Sequence, residues 1–226
     1  MNKTKGLFFT ASLVLALTLT QSCSGDDGGG GGGDPSSSSG GGEPSGGGNA
    51  CTNLEQVTIG SQVWAKKNLD CEVEGSVCYD NDPANCTKYG RLYNWNMAIT
   101  ACPSGWHLPS QAEWNKLYRY IDGTSGTESF YESPTAGKSL KANSGWNENG
   151  NGTDEHGFTA LPGGKYSVSS SNSSFEDVGV AGWLWSADES KSSEAYSHRM
   201  VFNKDDIHVN GDSKARSYYS VRCIKD

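Results

Sequence analysis

The sequence predicts an α+β domain, and three observations carry the prediction. A β-branched hairpin pattern opens the folded part, two helical patterns follow between residues 90 and 121, and strand patterns return after residue 180. No period of roughly 20 to 50 residues repeats along the chain, which removes solenoids and propellers.

The first 22 residues read as an export signal. Lys3 and Lys5 precede the apolar stretch Leu7 to Leu19, which is shorter than the about 20 residues needed to span a bilayer and suits a signal-peptide core. Leu19-Thr20-Gln21-Ser22-Cys23 resembles the lipobox of bacterial lipoproteins, with Thr20 in place of the usual Leu. That resemblance implies that Cys23 is the acylated first residue of the mature chain and that the lipid is its membrane contact; a plain secretory signal is the alternative. Of seven cysteines, lipidation of Cys23 leaves six to pair. Residues 23–50 then form a tether. Gly28 to Gly33 and Ser36 to Ser39 dominate it, nothing apolar in 24–50 apart from Pro35 and Pro44 is larger than Ala50, and such a coil spans about 30 Å. Asp26-Asp27 resembles a surface-export signal, although solvated tether charge explains it equally. The expected location is the outer membrane, lipid-anchored and exposed at the cell surface.

Residues 51–226 are the folding unit, long enough for one sizeable core. Val57-Thr58-Ile59 and Gln62-Val63-Trp64 read as two short strands about a Gly60-Ser61 turn. Between Cys78 and Cys86 lie seven turn-forming residues that can bring the two thiols into bridging distance, although six cysteines allow 15 pairings. Leu92, Trp95 and Ile99, with Met97, fall near helical spacing before Pro103. A stronger helix starts at Ser110, where Ser110 and Glu113 form a capping box and Trp114, Leu117, Tyr118 and Ile121 make one apolar stripe. From Gly123 to Val180 the chain reads as loop. Trp183 and Trp185 then share one face of a strand, Tyr196 to Phe202 and Ile207 to Val209 form a hairpin, and Ser220 to Ile224 is a closing strand.

Charge narrows the partners. The chain carries 18 Lys plus Arg against 26 Asp plus Glu, a formal net charge of -8. No basic run exceeds Lys66-Lys67, so the clustered cations that nucleic-acid binding requires are missing from the sequence. Enzyme chemistry finds little support either. His107 sits in a Trp-His-Leu-Pro segment where a backbone-bonded structural role is expected, and His156, His198 and His208 are scattered singly.

Five segments carry a family resemblance: Ile59 to Trp64, Tyr89 to Trp95, Cys102 to Ser110, Gly157 to Gly164 and Ser220 to Cys223. In that order they resemble the Fibrobacter succinogenes major paralogous domain, over nearly all of residues 54–226. The family is similar to the C-type lectin-like and sulfatase-modifying fold group. This implies two helices on a twisted antiparallel sheet, adjacent termini and long irregular loops holding the binding site, in exported proteins of bacteria that degrade plant fibre. In that arrangement Cys102 can reach Cys223 on the last strand, and Cys51 and Cys71 are then left for each other. The redox cysteine pair of the formylglycine-generating relatives is not carried over, because only Cys223 lies late in this chain.

The expected function is non-catalytic binding of glycan or of plant cell-wall polysaccharide, the latter implied by the family resemblance; the alternative is a structural or protein-interaction module whose partner is another envelope protein. Trp146, Asn147 and Tyr131 lie in polar stretches and are the ligand-contact candidates, since flat rings stack on pyranose faces while amides fix orientation. Asn149, Asn151 and Asp154 could offer oxygens to Ca2+, with an Asx/Gly turn as the competing reading. Trp146-Asn147-Glu148 is a near miss to the Trp-Asn-Asp motif of calcium-dependent lectins, and Glu43-Pro44-Ser45 lies in the tether.

Overall fold

A computed structural model of the chain describes residues 51–126 and 131–226. Cys23 and the rest of the signal and tether lie outside the described residues. The fold is α+β, with short helices, sheets rich in antiparallel pairs and three disulfides.

The first hairpin pairs β1 (Gln56–Ile59) with β2 (Gln62–Ala65). Its turn depends on Gly60, whose φ of 60° is strained for any residue with a Cβ. β2 also pairs with β11 (Ile224–Lys225), which in turn pairs with β4 (Trp106–His107), so one four-stranded sheet joins the first and last strands of the domain. A second, larger sheet runs β3 (Leu92–Tyr93), β10 (Ser217–Ser220), β5 (Gly163–Val168), β7 (Ala181–Lys191), β8 (Glu194–Val201) and β9 (His208–Ser213), with β6 (Ser173–Val178) added on β5. Among the described strands β5 with β7 and β10 with β7 pair in parallel, each through one residue pair, and an isolated parallel bridge joins Lys141 to Ala160.

Among the described residues four α-helices accompany the sheets: α1 (Pro83–Tyr89), α2 (Trp95–Ala101), α3 (Gln111–Asp122) and α4 (Ala136–Leu140). The capping box of α3 is formed by Ser110 and Glu113, and Trp114, Leu117 and Tyr118 of its stripe are buried, with Ile121 packed at the margin. Trp114 packs at a tilt 4.8 Å from Trp64 and edge-on to Phe158, tying helix to first hairpin. A second cluster gathers Leu69, Tyr93, Trp185, Tyr219 and Val221 around the Cys102–Cys223 bridge. The other disulfides join Cys51 to Cys71 and Cys78 to Cys86.

Several elements differ from the sequence expectation. The stretch between Cys78 and Cys86 contains the start of α1, because Asp82 caps the Ala84 amide and Pro83 supplies the first-turn φ. The next helix begins only after Asn94, which caps the Met97 amide, so Leu92 belongs to β3 instead. Residues 123–180 are not all loop: they contain α4, β5 and β6, whose Gly- and Ser-rich sequences hide the strand pattern. The closing strand is broken into β10 and β11 by Val221, Arg222 and Cys223. At these residues the backbone turns to the first hairpin and the segment after it, the Val221 and Cys223 carbonyls accepting from the Leu69 and Ala65 amides, and between them the fully buried Arg222 guanidinium donates to the carbonyls of Ala65, Lys66, Phe158 and Thr159 and to Asn68 Oδ1.

Candidate functional site

A groove lies between the β1–β2 turn and the outer face of α3. Tyr120 stands two residues beyond Tyr118, about 200° around the helix, so the same periodicity that buries Tyr118 turns Tyr120 outward, 55% exposed. One side of its ring rests on the backbone of Gly60. A Cβ built there would meet the ring at 2.9 Å, so the turn glycine is also what lets the aromatic lie down. His156 touches the ring edge-on, 5.9 Å between centroids. Ser61, Gln62, Asn115, Lys116 and Thr124 line the remaining cavity, about 650 Å³ in volume. Gln62 is held by donating from Nε2 to the Glu113 carbonyl at 3.0 Å. Arg119 is held across the Tyr131 ring at 4.3 Å while donating to the Ser125 carbonyl.

The residues singled out in sequence are placed differently. Trp146 is a correction: it is 5% exposed, its indole donates to the Ala160 carbonyl at 3.2 Å, and the Lys141 ammonium lies over its ring. Burial satisfies both ends of the indole, and no face is left for a ligand. Tyr131 is also tied down, packed against the core with its hydroxyl donating to Asp122 at 2.8 Å. Asn147 is exposed, opening a short 3-10 turn whose backbone bonds to Gly179. Asn149 is exposed in the same turn with φ of 60°. Asn151 Oδ1 accepts from the Trp146 amide, and both Asp154 oxygens accept from Thr159, its amide and its hydroxyl, so these oxygens brace the loop across five residues each. Among the described residues no group of three His, Cys, Asp or Glu side chains is placed to hold a metal ion.

His107 departs from the expected backbone bond. Nδ1 faces Asp226 Oδ1 at 2.6 Å and Nε2 faces Glu113 Oε1 at 2.9 Å. Burial opposes its charging, but the bonds to Asp226 and Glu113 together outweigh that and raise its pKa. Burial likewise pushes Glu113 up, yet donors from Ser110 and His107 hold it below the ordinary carboxylate range. With both ring nitrogens committed to carboxylates, the imidazole is a clamp between α3 and the chain end and has no nitrogen left to activate a nucleophile.

Residues 57–225 match the Fibrobacter succinogenes major domain. The chain belongs to that family. No curated protein and no solved structure matches it. In this Fibrobacter succinogenes major domain the resembling segments serve the frame: Trp64, Tyr93, Phe158 and Cys223 are all buried. The groove is built from what the frame leaves outside. Tyr120 was missed in sequence, and the signal for it is an aromatic off the apolar stripe of an otherwise amphipathic helix.

Proposed function

We propose that the domain is a non-catalytic, lectin-like glycan-binding module, held at the cell surface by the lipid on Cys23 and the Gly/Ser tether, with the Tyr120 groove as its contact surface. The observation that carries this reading is the Tyr120 ring, pinned on one side by Gly60 and open on the other, beside the amide of Gln62 and the ammonium of Lys116. A ring fixed before binding loses little freedom when a pyranose face stacks on it, and polar neighbours at its edge orient the hydroxyls. The pairing of β2 with β11, which brings the two ends of the domain together, supports the lectin-like assignment. Three disulfides suit an oxidising, extracytoplasmic location. Among the described residues no helix is long and apolar enough to cross a membrane.

A protein-interaction role is the second reading. It is favoured by a half-buried row of Tyr218, Tyr166 and Phe175 across β10, β5 and β6, where Tyr166 and Phe175 stack at 4.4 Å and Tyr218 meets Tyr166 edge-on.

Retention of the oxidised full-length protein, in detergent, on insoluble cellulose and xylan tests the glycan reading. Saturable binding that survives chelation of Ca2+ and weakens roughly tenfold in Tyr120→Ala is expected, the scale of one aromatic contact. Unchanged binding by that variant removes the groove from the reading, and no retention on either polymer removes the glycan.

A further inference from the structure

A second cleft, about 450 Å³ in volume, shares no lining residue with the Tyr120 groove. It opens at the other end of the first hairpin, where Gln56 pairs with Ala65, and is closed by the end of α1 and by Thr159 and Leu161. Its charges are unevenly matched. Lys67 pairs with Glu55 at 2.9 Å, and Asp70 faces Arg91 at 3.9 Å. Lys66 and Lys88, both exposed at the rim, make no ion pair among the described residues, although Lys66 acts on the Glu55 carboxylate electrostatically and Lys88 lies over the Tyr89 ring at 4.7 Å.

Beneath the floor lies a third cation. Arg222 is fully buried and donates to the oxygens of Ala65, Lys66, Asn68 and Thr159, four residues that line the cleft. Every one of these acceptors is neutral. Carbonyl and amide oxygens solvate a guanidinium without cancelling its charge, and buried charges are ordinarily paired. The Asp154 carboxylate acts on Arg222 electrostatically and counters part of its charge, but its oxygens are bonded to the Thr159 amide and hydroxyl and make no ion pair with the guanidinium among the described residues. The cleft of an acidic domain is therefore underlain by one cation and edged by two more, with low-dielectric walls that focus their field.

We propose that this cleft binds a small polyhydroxylated carboxylate, of the uronic-acid class. The carboxylate answers the unmatched cations. The volume fits one or two sugar rings, Leu54 and Leu161 offer an apolar wall, and the hydroxyl oxygens of Thr87 and Thr159, whose protons go to Pro83 and Asp154, can accept from ligand hydroxyls beside the Asn53 amide. A bare inorganic anion would leave the wall and the hydroxyl groups unused.

Titrations of the oxidised full-length protein followed by NMR, with D-galacturonate, D-galactose and inorganic phosphate at low ionic strength, test this. Galacturonate is expected to saturate at a Kd at least tenfold below those of galactose and phosphate. The double substitution Lys66→Gln, Lys88→Gln, on exposed side chains and with an unchanged denaturation midpoint, is expected to weaken it tenfold or more, whereas Tyr120→Ala leaves it unchanged. Galactose or phosphate binding as tightly, wild-type affinity in the double variant, or no saturation by galacturonate overturns the proposal. Because the polysaccharide retention reports on Tyr120 and this titration on Lys66 and Lys88, either site can fail alone.

Discussion

His198 and His107 pull the pH dependence of stability in opposite directions. His198 is enclosed by Trp114, 4.7 Å away between ring centroids, and by the Tyr118 hydroxyl, 2.9 Å from Nδ1. Burial pushes it down to about 3. Below its ordinary value of about 6.5 the unfolded chain therefore takes up a proton that the folded chain refuses, and stability should fall by about 1.4 kcal/mol per pH unit toward pH 3. His107, raised in the folded state, has the other sign. Its contribution is complete below the unfolded value and is lost as pH climbs through the folded one. Denaturant midpoints from pH 4 to 9 should show both limbs, with His198→Gln flattening the acid side and His107→Gln the alkaline side. An unaltered acid limb in His198→Gln would contradict the burial argument. At this scale burial was the hardest thing to read in sequence. Trp146 sits among Asn and Gly, and only the distant Ala160 carbonyl and Lys141 ammonium, brought to it by the fold, take it inside.

Among the elements, α3 was legible because two independent local signals coincide, the Ser110–Glu113 box and a four-residue apolar stripe. Ser110→Ala should lower the unfolding free energy by about 1 kcal/mol, measured by denaturation. A loss well below that would mean Glu113, also bonded to His107, holds the helix start alone. The shorter elements were not legible, for physical reasons. Helix α1 buries only Cys86 and Tyr89, too few positions to display a period. Strands β5 and β6 carry Gly163, Gly164, Ser173 and Ser174, and their pairing relies on the cross-strand contact of Tyr166 with Phe175 instead of an alternating pattern. The groove inherits this contrast: its α3 side follows from helical periodicity, whereas the Gly60 seat of Tyr120 depends on two elements meeting.

For the molecule as a whole, the bridges differ in how much chain they restrain. Cys102 and Cys223 are 121 residues apart in sequence, Cys78 and Cys86 only 8. Chain-entropy estimates give about 5 and about 2.5 kcal/mol respectively, so replacing both Cys102 and Cys223 by Ala should lower the denaturation midpoint more than replacing Cys78 and Cys86. Equal losses would show that the long loop is restrained in the unfolded chain by other means. The same three bonds also define a route for tension. Pulled between Cys51 and its last residue, the oxidised chain passes load from Cys51 directly to Cys71, from Cys78 to Cys86 and from Cys102 to Cys223. Residues 52–70 and 103–222 hang beside that line, and with them the Gly60 turn, Tyr120 and most of the larger sheet. Between those two points the unbroken covalent path therefore runs through residues 71–78, 86–102 and 223–226, and the segments that carry Gly60 and Tyr120 lie off it.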